Sequence, residues 1–229
     1  MKPLSPFALW LLLCLAITTV CFSQDWAQLQ YFASENQELM MNMVSNHRVV
    51  FMGNSITEGW SNARPEFFEG KPYVNRGIGG QTTPQMLVRF KQDVVSLQPT
   101  VVVILAGTND IAGNTGPSTI EMIFDNITSM AEIARANDIN VILCSVLPVY
   151  DYPWKPGLKP AEKIVRLNSM IRQYAQENNM EYVDYFSAMV NKQNGLKSDL
   201  GHDGVHPNKA GYQVMEPLLT EAIEKALNR

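Results

Sequence analysis

The sequence predicts one α/β domain, a three-layer α/β/α sandwich around a central parallel sheet of about five strands. Three observations predict it. Apolar runs alternate with helical patterns from residue 25 to the end, and strands separated by helices pair in parallel through right-handed crossovers. The runs are continuously apolar rather than alternating in polarity, as they are when both sheet faces are covered. The chain has 229 residues, enough for one sizeable core.

Residues 1–23 stand apart from this pattern. Lys2 precedes an apolar run from Phe7 to Val20, and Cys21-Phe22-Ser23 offers small residues at −3 and −1 of a cut. A secretory signal peptide is expected there, with residues 24–229 forming the domain and the product secreted or periplasmic. The run is shorter than the roughly 20 residues a spanning helix needs, so no membrane span is expected in the mature chain. A lipid anchor on Cys21 is disfavoured, because Thr18-Thr19-Val20 lacks the small residue that lipoprotein processing prefers next to the cysteine.

The elements follow in order. Gln28 to Val44 has the pattern of an opening helix, and Arg48-Val49-Val50-Phe51-Met52-Gly53 that of a buried strand closed by glycine. Tyr73-Val74-Asn75 is a short second strand. Thr82 or Thr83 caps a helix with Pro84 in its first turn, running to about Leu97. Thr100 to Leu105 is the clearest strand of all. Ser118-Thr119-Ile120-Glu121 has the form of a capping box, opening a helix that ends near Asn137. Asn140 to Val146 is the fourth strand. Pro160 to Asn178 is a helix with Ile164, Leu167, Ile171 and Tyr174 at core spacing. Glu181 to Asp184 makes the fifth strand and Pro207 to Leu227 the last helix.

Composition narrows the function classes. The formal charge is −4, with no basic run to hold phosphates, so nucleic acid is not an expected partner. Beyond the leader, Cys144 is the one cysteine, which excludes an internal disulfide and reads as a buried strand residue. His202, Asp203 and His206 would suit a metal, but no HExxH or paired CxxC accompanies them and a metal leaves Ser55 and Asn109 without a role. No metal and no cofactor are expected. Gly77-Ile78-Gly79-Gly80 has neither the spacing nor the position of a dinucleotide loop. The sequence sets no oligomeric state.

Five residues carry chemistry. Asp203 and His206 sit three apart in Asp203-Gly204-Val205-His206-Pro207, and Ser55 stands in Gly53-Asn54-Ser55-Ile56-Thr57. A serine hydroxyl becomes a nucleophile when a neutral imidazole takes its proton, and a carboxylate fixes the tautomer that can do so. Gly79-Gly80 can bring backbone N–H groups close to a ligand, and Asn109 can offer its amide. Ser55 follows the first strand, Gly80 the second, Asn109 the third, and Asp203 and His206 the fifth. All therefore fall on the edge where parallel sheets bind ligands. The spacing Gly53-x-Ser55-x-x-x-Gly59 does not match the G-x-S-x-G elbow of the α/β-hydrolases.

Four blocks in this order resemble the SGNH hydrolases, or GDSL esterase/lipase family, across essentially the whole mature chain. They are Gly53-Asn54-Ser55-Ile56-Thr57-Glu58-Gly59, Asn75-Arg76-Gly77-Ile78-Gly79-Gly80-Gln81-Thr82, Gly107-Thr108-Asn109-Asp110 and Asp203-Gly204-Val205-His206. The resemblance implies a flavodoxin-like fold. It also implies Ser55 as nucleophile, His206 as general base, Asp203 as orienter, and an oxyanion hole of the Ser55 and Gly80 N–H groups with the Asn109 amide. The family usually has Asp before the serine, where this chain has Asn54. That change removes a charge but keeps hydrogen-bonding capacity, and activity is expected to survive it.

The expected substrates are small-molecule or glycan esters, short acyl (O-acetyl) groups above all. Tyr150, Tyr152 and Trp154, in the loop after the fourth strand, are candidates to stack on a sugar ring or line an acyl channel. A lysophospholipase or thioesterase on longer chains is the alternative, and a non-catalytic binding module of the same fold is another.

Overall fold

The structure, a computed structural model, describes residues 25–41 and 47–229. The expected signal peptide and the end of the expected opening helix lie outside the described residues. The elements are α1 (Ala33–Met41), β1 (Val49–Gly53), α2 (Ser55–Ala63), α3 (Pro65–Phe68), β2 (Tyr73–Gly77) and α4 (Thr83–Asp93), the last followed by a 3₁₀ turn, Val95–Leu97. Then come β3 (Val101–Leu105), α5 (Thr108–Ala112), α6 (Ile120–Arg135), β4 (Asn140–Cys144), α7 (Ala161–Glu177), β5 (Glu181–Val183), α8 (Tyr185–Met189) and α9 (Lys209–Leu227).

The strands form one parallel sheet in the order β2-β1-β3-β4-β5. Successive side chains on a strand point to opposite faces, so a continuous apolar run feeds two cores at once. Val50, Met52, Val102, Ile104, Val141 and Leu143 face one side, where α4, α6 and α7 bring Met86, Phe90, Ile123, Ile127, Ile164 and Leu167. Val49, Phe51, Val101, Val103, Ile142 and Cys144 face the other, against Ile56 and Trp60 of α2 and Met215, Leu219 and Ile223 of α9. Three layers result.

The chain steps from β1 outward to β2, then crosses back to β3 on the other side of β1. This reversal places the loops after β1 and β3 on diverging paths, which opens a crevice between them. Register brings their ends level: Gly53 pairs with both Gly77 and Leu105. Asn54-Ser55, Ile78-Gly79-Gly80 and the turn into Asn109 therefore leave the sheet side by side.

Local chemistry sets the helix starts. The capping box expected at Ser118 is shifted by one residue: Thr119 is the N-cap, its hydroxyl accepting from the Met122 N–H at 3.2 Å. In the helix after β2, Gln85 Oε1 accepts the Thr82 N–H at 3.0 Å, half of a reciprocal cap. That helix stops at Asp93 rather than running on to Leu97. The last helix starts at Lys209 with Asn208 as cap, and β2 runs on to Gly77.

Candidate active site

Ser55 is the first residue of α2, and Asn54 is its N-cap, with Oδ1 accepting from the Ile56 N–H at 3.1 Å. The capping function that an aspartate performs is thus kept by the asparagine. First-turn N–H groups of a helix have no partner within it, so the Ser55 N–H has no intrahelical partner at a helix end that favours negative charge. Tyr212 of α9 anchors the same turn from below, donating to the Ile56 carbonyl at 2.8 Å.

Ser55 Oγ lies 2.9 Å from His206 Nε2, and His206 Nδ1 lies 2.8 Å from Asp203 Oδ2. A proton on Nδ1 directed to the carboxylate leaves Nε2 as the acceptor for the serine hydroxyl. The other oxygen of Asp203 accepts the Val205 N–H at 3.0 Å and the His206 N–H at 2.8 Å. Burial pushes this carboxyl's pKa upward, but the N–H and imidazole donors outweigh it, and the net shift is downward. Asp203 therefore organises its own loop and holds the ring of His206 in one step. The three side chains, separated by up to 151 residues in sequence, form a continuous relay.

Gly80 closes the second wall. It sits at φ +75° in a turn fastened by Gln81 N to Ile78 O at 3.4 Å, a backbone state that a side chain disfavours. At Gly79 a Cβ would meet Glu58 Oε2 at 2.9 Å and Ser55 Cβ at 3.9 Å, so this backbone runs directly beside the serine. Asn109, on α5, is buried and donates one amide hydrogen to the Gln81 carbonyl at 2.9 Å. That bond fixes the amide plane and leaves a second hydrogen to offer. Asp110 accepts the Thr83 N–H at 2.9 and 3.0 Å and its hydroxyl at 2.6 Å, which ties α5 to the start of α4. Burial lifts this carboxyl to about 6 against those donors.

The aromatic residues expected at the substrate divide. Trp154 is 45% exposed and Tyr150 60%, and the Trp154 ring lies 6.0 Å from the His206 ring. Tyr152 is a correction. It is 0% exposed, with its hydroxyl within 3.0 Å of Thr108 Oγ1 and donating to the Thr108 carbonyl at 2.9 Å. It faces the core because it anchors this loop to the strand end that carries Asn109. His47 sits at the far end of β1, outside the relay. Among the described residues no group of three or more His, Cys, Asp or Glu side chains is arranged to hold a metal ion.

Two residues escaped the sequence reading. Arg89 of α4 is fully buried and donates to the Gly53 carbonyl at 3.0 Å, the Arg76 carbonyl at 2.8 Å, Gln81 Oε1 at 2.6 Å and Asp93 Oδ2 at 2.9 Å. It gathers the strand ends that carry Ser55 and Gly80. Glu58 stands one helical turn after Ser55 in a cleft that also holds the serine. Its place in the block containing Ser55 was the one available signal.

Residues 51–214 match the GDSL-like Lipase/Acylhydrolase family. A solved structure of a proposed acylhydrolase from Bacteroides fragilis is 50% identical, with a TM-score of 0.86 over 89% of this chain and 99% of that one. The uncharacterized lipoprotein YqeF of Bacillus subtilis is 36% identical over 34% of this chain and 33% of its own length. An acetylxylan esterase of Xylanibacter ruminicola is 23% identical over 77% of this chain and 43% of its own. The chain thus spans less than half the length of these two curated relatives. With the family matched across most of the sequence and a half-identical fold over nearly all of it, the chain belongs to the GDSL-like lipase/acylhydrolase family.

Proposed function

We propose that the protein hydrolyses short-chain acyl esters, O-acetyl groups on carbohydrate above all, through an acyl-serine intermediate. The observation that carries this reading is the relay of 2.9 and 2.8 Å from Ser55 through His206 to Asp203. Ser55 Oγ attacks the ester carbonyl while His206 Nε2 takes its proton, and the charge that develops on the imidazole is balanced by Asp203. The oxygen of the tetrahedral intermediate is received by the Ser55 and Gly80 N–H groups and the Asn109 amide. His206 then gives its proton to the departing alcohol. Water, deprotonated by the same ring, attacks the acyl-enzyme and restores Ser55.

Two features favour a short acyl group and a sugar alcohol. The cleft beside Ser55 is lined by polar side chains such as Glu58, Asn62 and Asn75 rather than by an alkyl channel. Trp154 presents an exposed ring beside His206, where stacking on a sugar face is available, and Tyr150 is exposed in the same loop. The Xylanibacter ruminicola relative is an acetylxylan esterase. Export through the expected leader fits a glycan substrate outside the cytoplasm, and a lipoprotein among the relatives fits the same compartment.

The test is a series of p-nitrophenyl esters from two to sixteen carbons, followed by acetylated xylo-oligosaccharides. Expected are kcat/KM values that fall with acyl length, and loss of nearly all activity in Ser55→Ala. Best turnover on long chains would replace the acetyl reading with a lysophospholipase or thioesterase one. Full activity in Ser55→Ala would remove the serine mechanism.

A further inference from the structure

We propose that Glu58 sets the charge selectivity of this esterase, turning the cleft beside Ser55 against anionic esters and toward neutral substrates that donate hydrogen bonds there. This rests on the serine-esterase reading above. A cavity of about 470 Å³ adjoins the nucleophile and is lined by Tyr31, Glu35, Ser55, Glu58, Asn62 and Asn75, among others. It takes in Ser55 but neither His206 nor Asn109, so it opens on the side of the serine away from the base. An ester seated on Ser55 therefore has this cleft open to one of its two halves.

Glu58 follows Ser55 at i+3, the spacing that puts two helical side chains on one face. One carboxylate oxygen sits 2.9 Å, and Ser55 Cβ 3.9 Å, from the same point beside Gly79, and the two distances together bound their separation. The other oxygen accepts from the Tyr31 hydroxyl at 3.1 Å. That bond raises the phenol's pKa and keeps it a donor to the carboxylate.

Glu35, on the same cleft, is paired with Arg76 at 3.3 Å. Among the described residues Glu58 pairs with no such cation and its carboxylate accepts from one side chain, Tyr31. It is half-buried. Withdrawing a carboxylate from water without a counter-charge is costly, and the group left unsatisfied faces the space a substrate occupies. A hydroxyl from the substrate would complete its hydrogen bonding. A second carboxylate would be repelled at short range with little water between them.

Tyr31 is held in place by the chain around it. Gln81, Gln85 and Gln92 fasten residues 26–29 to the strand-end surface, through Gln81 Nε2 to the Ala27 carbonyl at 2.9 Å, Gln85 Nε2 to the Trp26 carbonyl at 2.7 Å, and Gln92 Nε2 to the Leu29 carbonyl. The wall carrying Tyr31 is thereby part of the fold.

The experiment compares matched ester pairs in wild type and Glu58→Gln. One pair, 4-acetoxybenzoate and its methyl ester, places the charge in the alcohol half. The other, 4-nitrophenyl hydrogen succinate and its methyl ester, places it in the acyl half. The readout is kcat/KM for the anionic member divided by that for the neutral one. In Glu58→Gln this ratio is expected to rise roughly tenfold for the pair whose charged half enters the cleft. Added salt should raise the ratio in wild type and leave it flat in the variant. Tyr31→Phe keeps the carboxylate and is expected to keep the wild-type ratio. Unchanged ratios for both pairs in Glu58→Gln overturn the proposal, as does an equal rise in Tyr31→Phe, which would assign the effect to wall packing. If wild type turns over the neutral esters while the ratios stay fixed, only the role of Glu58 falls. If it turns over none of them, the esterase reading falls as well.

Discussion

Asn109 and Asp110 are neighbours in sequence with separate tasks, and the second is the more exposed to pH. Asn109 donates its amide to the Gln81 carbonyl, whereas Asp110 is buried against the start of α4 with three bonds from Thr83. Burial lifts its carboxyl to about 6, above the ordinary value near 3.9 of an unfolded aspartate. A carboxyl raised on folding favours the folded state while protonated. Its contribution is full below about pH 4 and is lost as pH rises through about 6. That rise in pKa corresponds to roughly 3 kcal/mol. Urea unfolding of Asp110→Asn and wild type from pH 4 to 7 isolates this residue from the other carboxylates. The variant is expected to gain on wild type by up to about 3 kcal/mol between those limits, and a difference independent of pH would refute the assignment. The sequence shows the Asp110 side chain but not its burial, and so it drew no attention there. Tyr152 illustrates the same blindness in reverse: its neighbours Tyr150 and Trp154 face outward while it faces the core. Ser55, His206, Asp203, Gly80 and Asn109 could be singled out in the sequence because the chemistry proposed for them depends on residue type and order, and the structure brings the first three into hydrogen-bond contact.

Among elements, the longer helices and the five strands were readable, because an apolar face repeated over several turns leaves a clear period. Short pieces were not. α3, α5 and α8 span four or five residues each, too few for a period, and are fixed by turns and caps. α1 buries Asn36 rather than an apolar stripe, so its packing is polar, and it starts at Ala33 rather than Gln28. The loop between β4 and α7 is an element of this irregular kind, and it carries the exposed ring beside His206. Its shape is set by Asp151, whose carboxylate accepts the N–H groups of Tyr152 at 3.0 Å, Gly157 at 2.6 Å, Leu158 at 3.1 Å and Lys159 at 3.3 Å. These donors, that of Gly157 foremost, hold its pKa below the usual carboxylate value. Lys155 adds a bond to the Ala112 carbonyl at 2.9 Å, and Tyr152 plugs the base. Removing the central acceptor should loosen Trp154 without touching the relay. Asp151→Ala is therefore expected to raise KM for an acetylated xylo-oligosaccharide by more than it raises KM for p-nitrophenyl acetate. Steady-state kinetics on both substrates decides it, and equal effects on the two would remove the loop from substrate binding.

At the scale of the whole molecule, the site depends on a polar knot that joins segments distant in sequence. Arg89 collects the carbonyls ending β1 and β2 together with Gln81 and Asp93. Asn36 of α1 donates to Asp93 at 2.6 Å and accepts from Arg76 Nε at 2.9 Å. Gln81 in turn presents the carbonyl that holds Asn109. No periodicity reports such a knot, because its members are single polar residues scattered from 36 to 109 and united only by the sheet order. Apolar burial explains why the strands stack, but it does not align three loop ends to hydrogen-bond tolerance. Arg89 supplies that alignment, since a planar guanidinium offers donors in fixed directions. Arg89→Met would remove every one of these bonds and leave Asp93 buried without its counter-charge, at a cost of about 3–5 kcal/mol in unfolding free energy. Adding Asp93→Leu removes the orphaned charge, and should recover part of that stability. It cannot restore the support beneath Gly53 and Gln81, so kcat on p-nitrophenyl acetate is expected to stay low in the double variant. Urea unfolding and kcat, measured on wild type, Arg89→Met and Arg89→Met/Asp93→Leu, separate the two contributions. Recovery of kcat in step with stability would mean that the knot merely holds the fold together. Recovery of stability alone would show that the buried guanidinium positions the serine and the oxyanion donors.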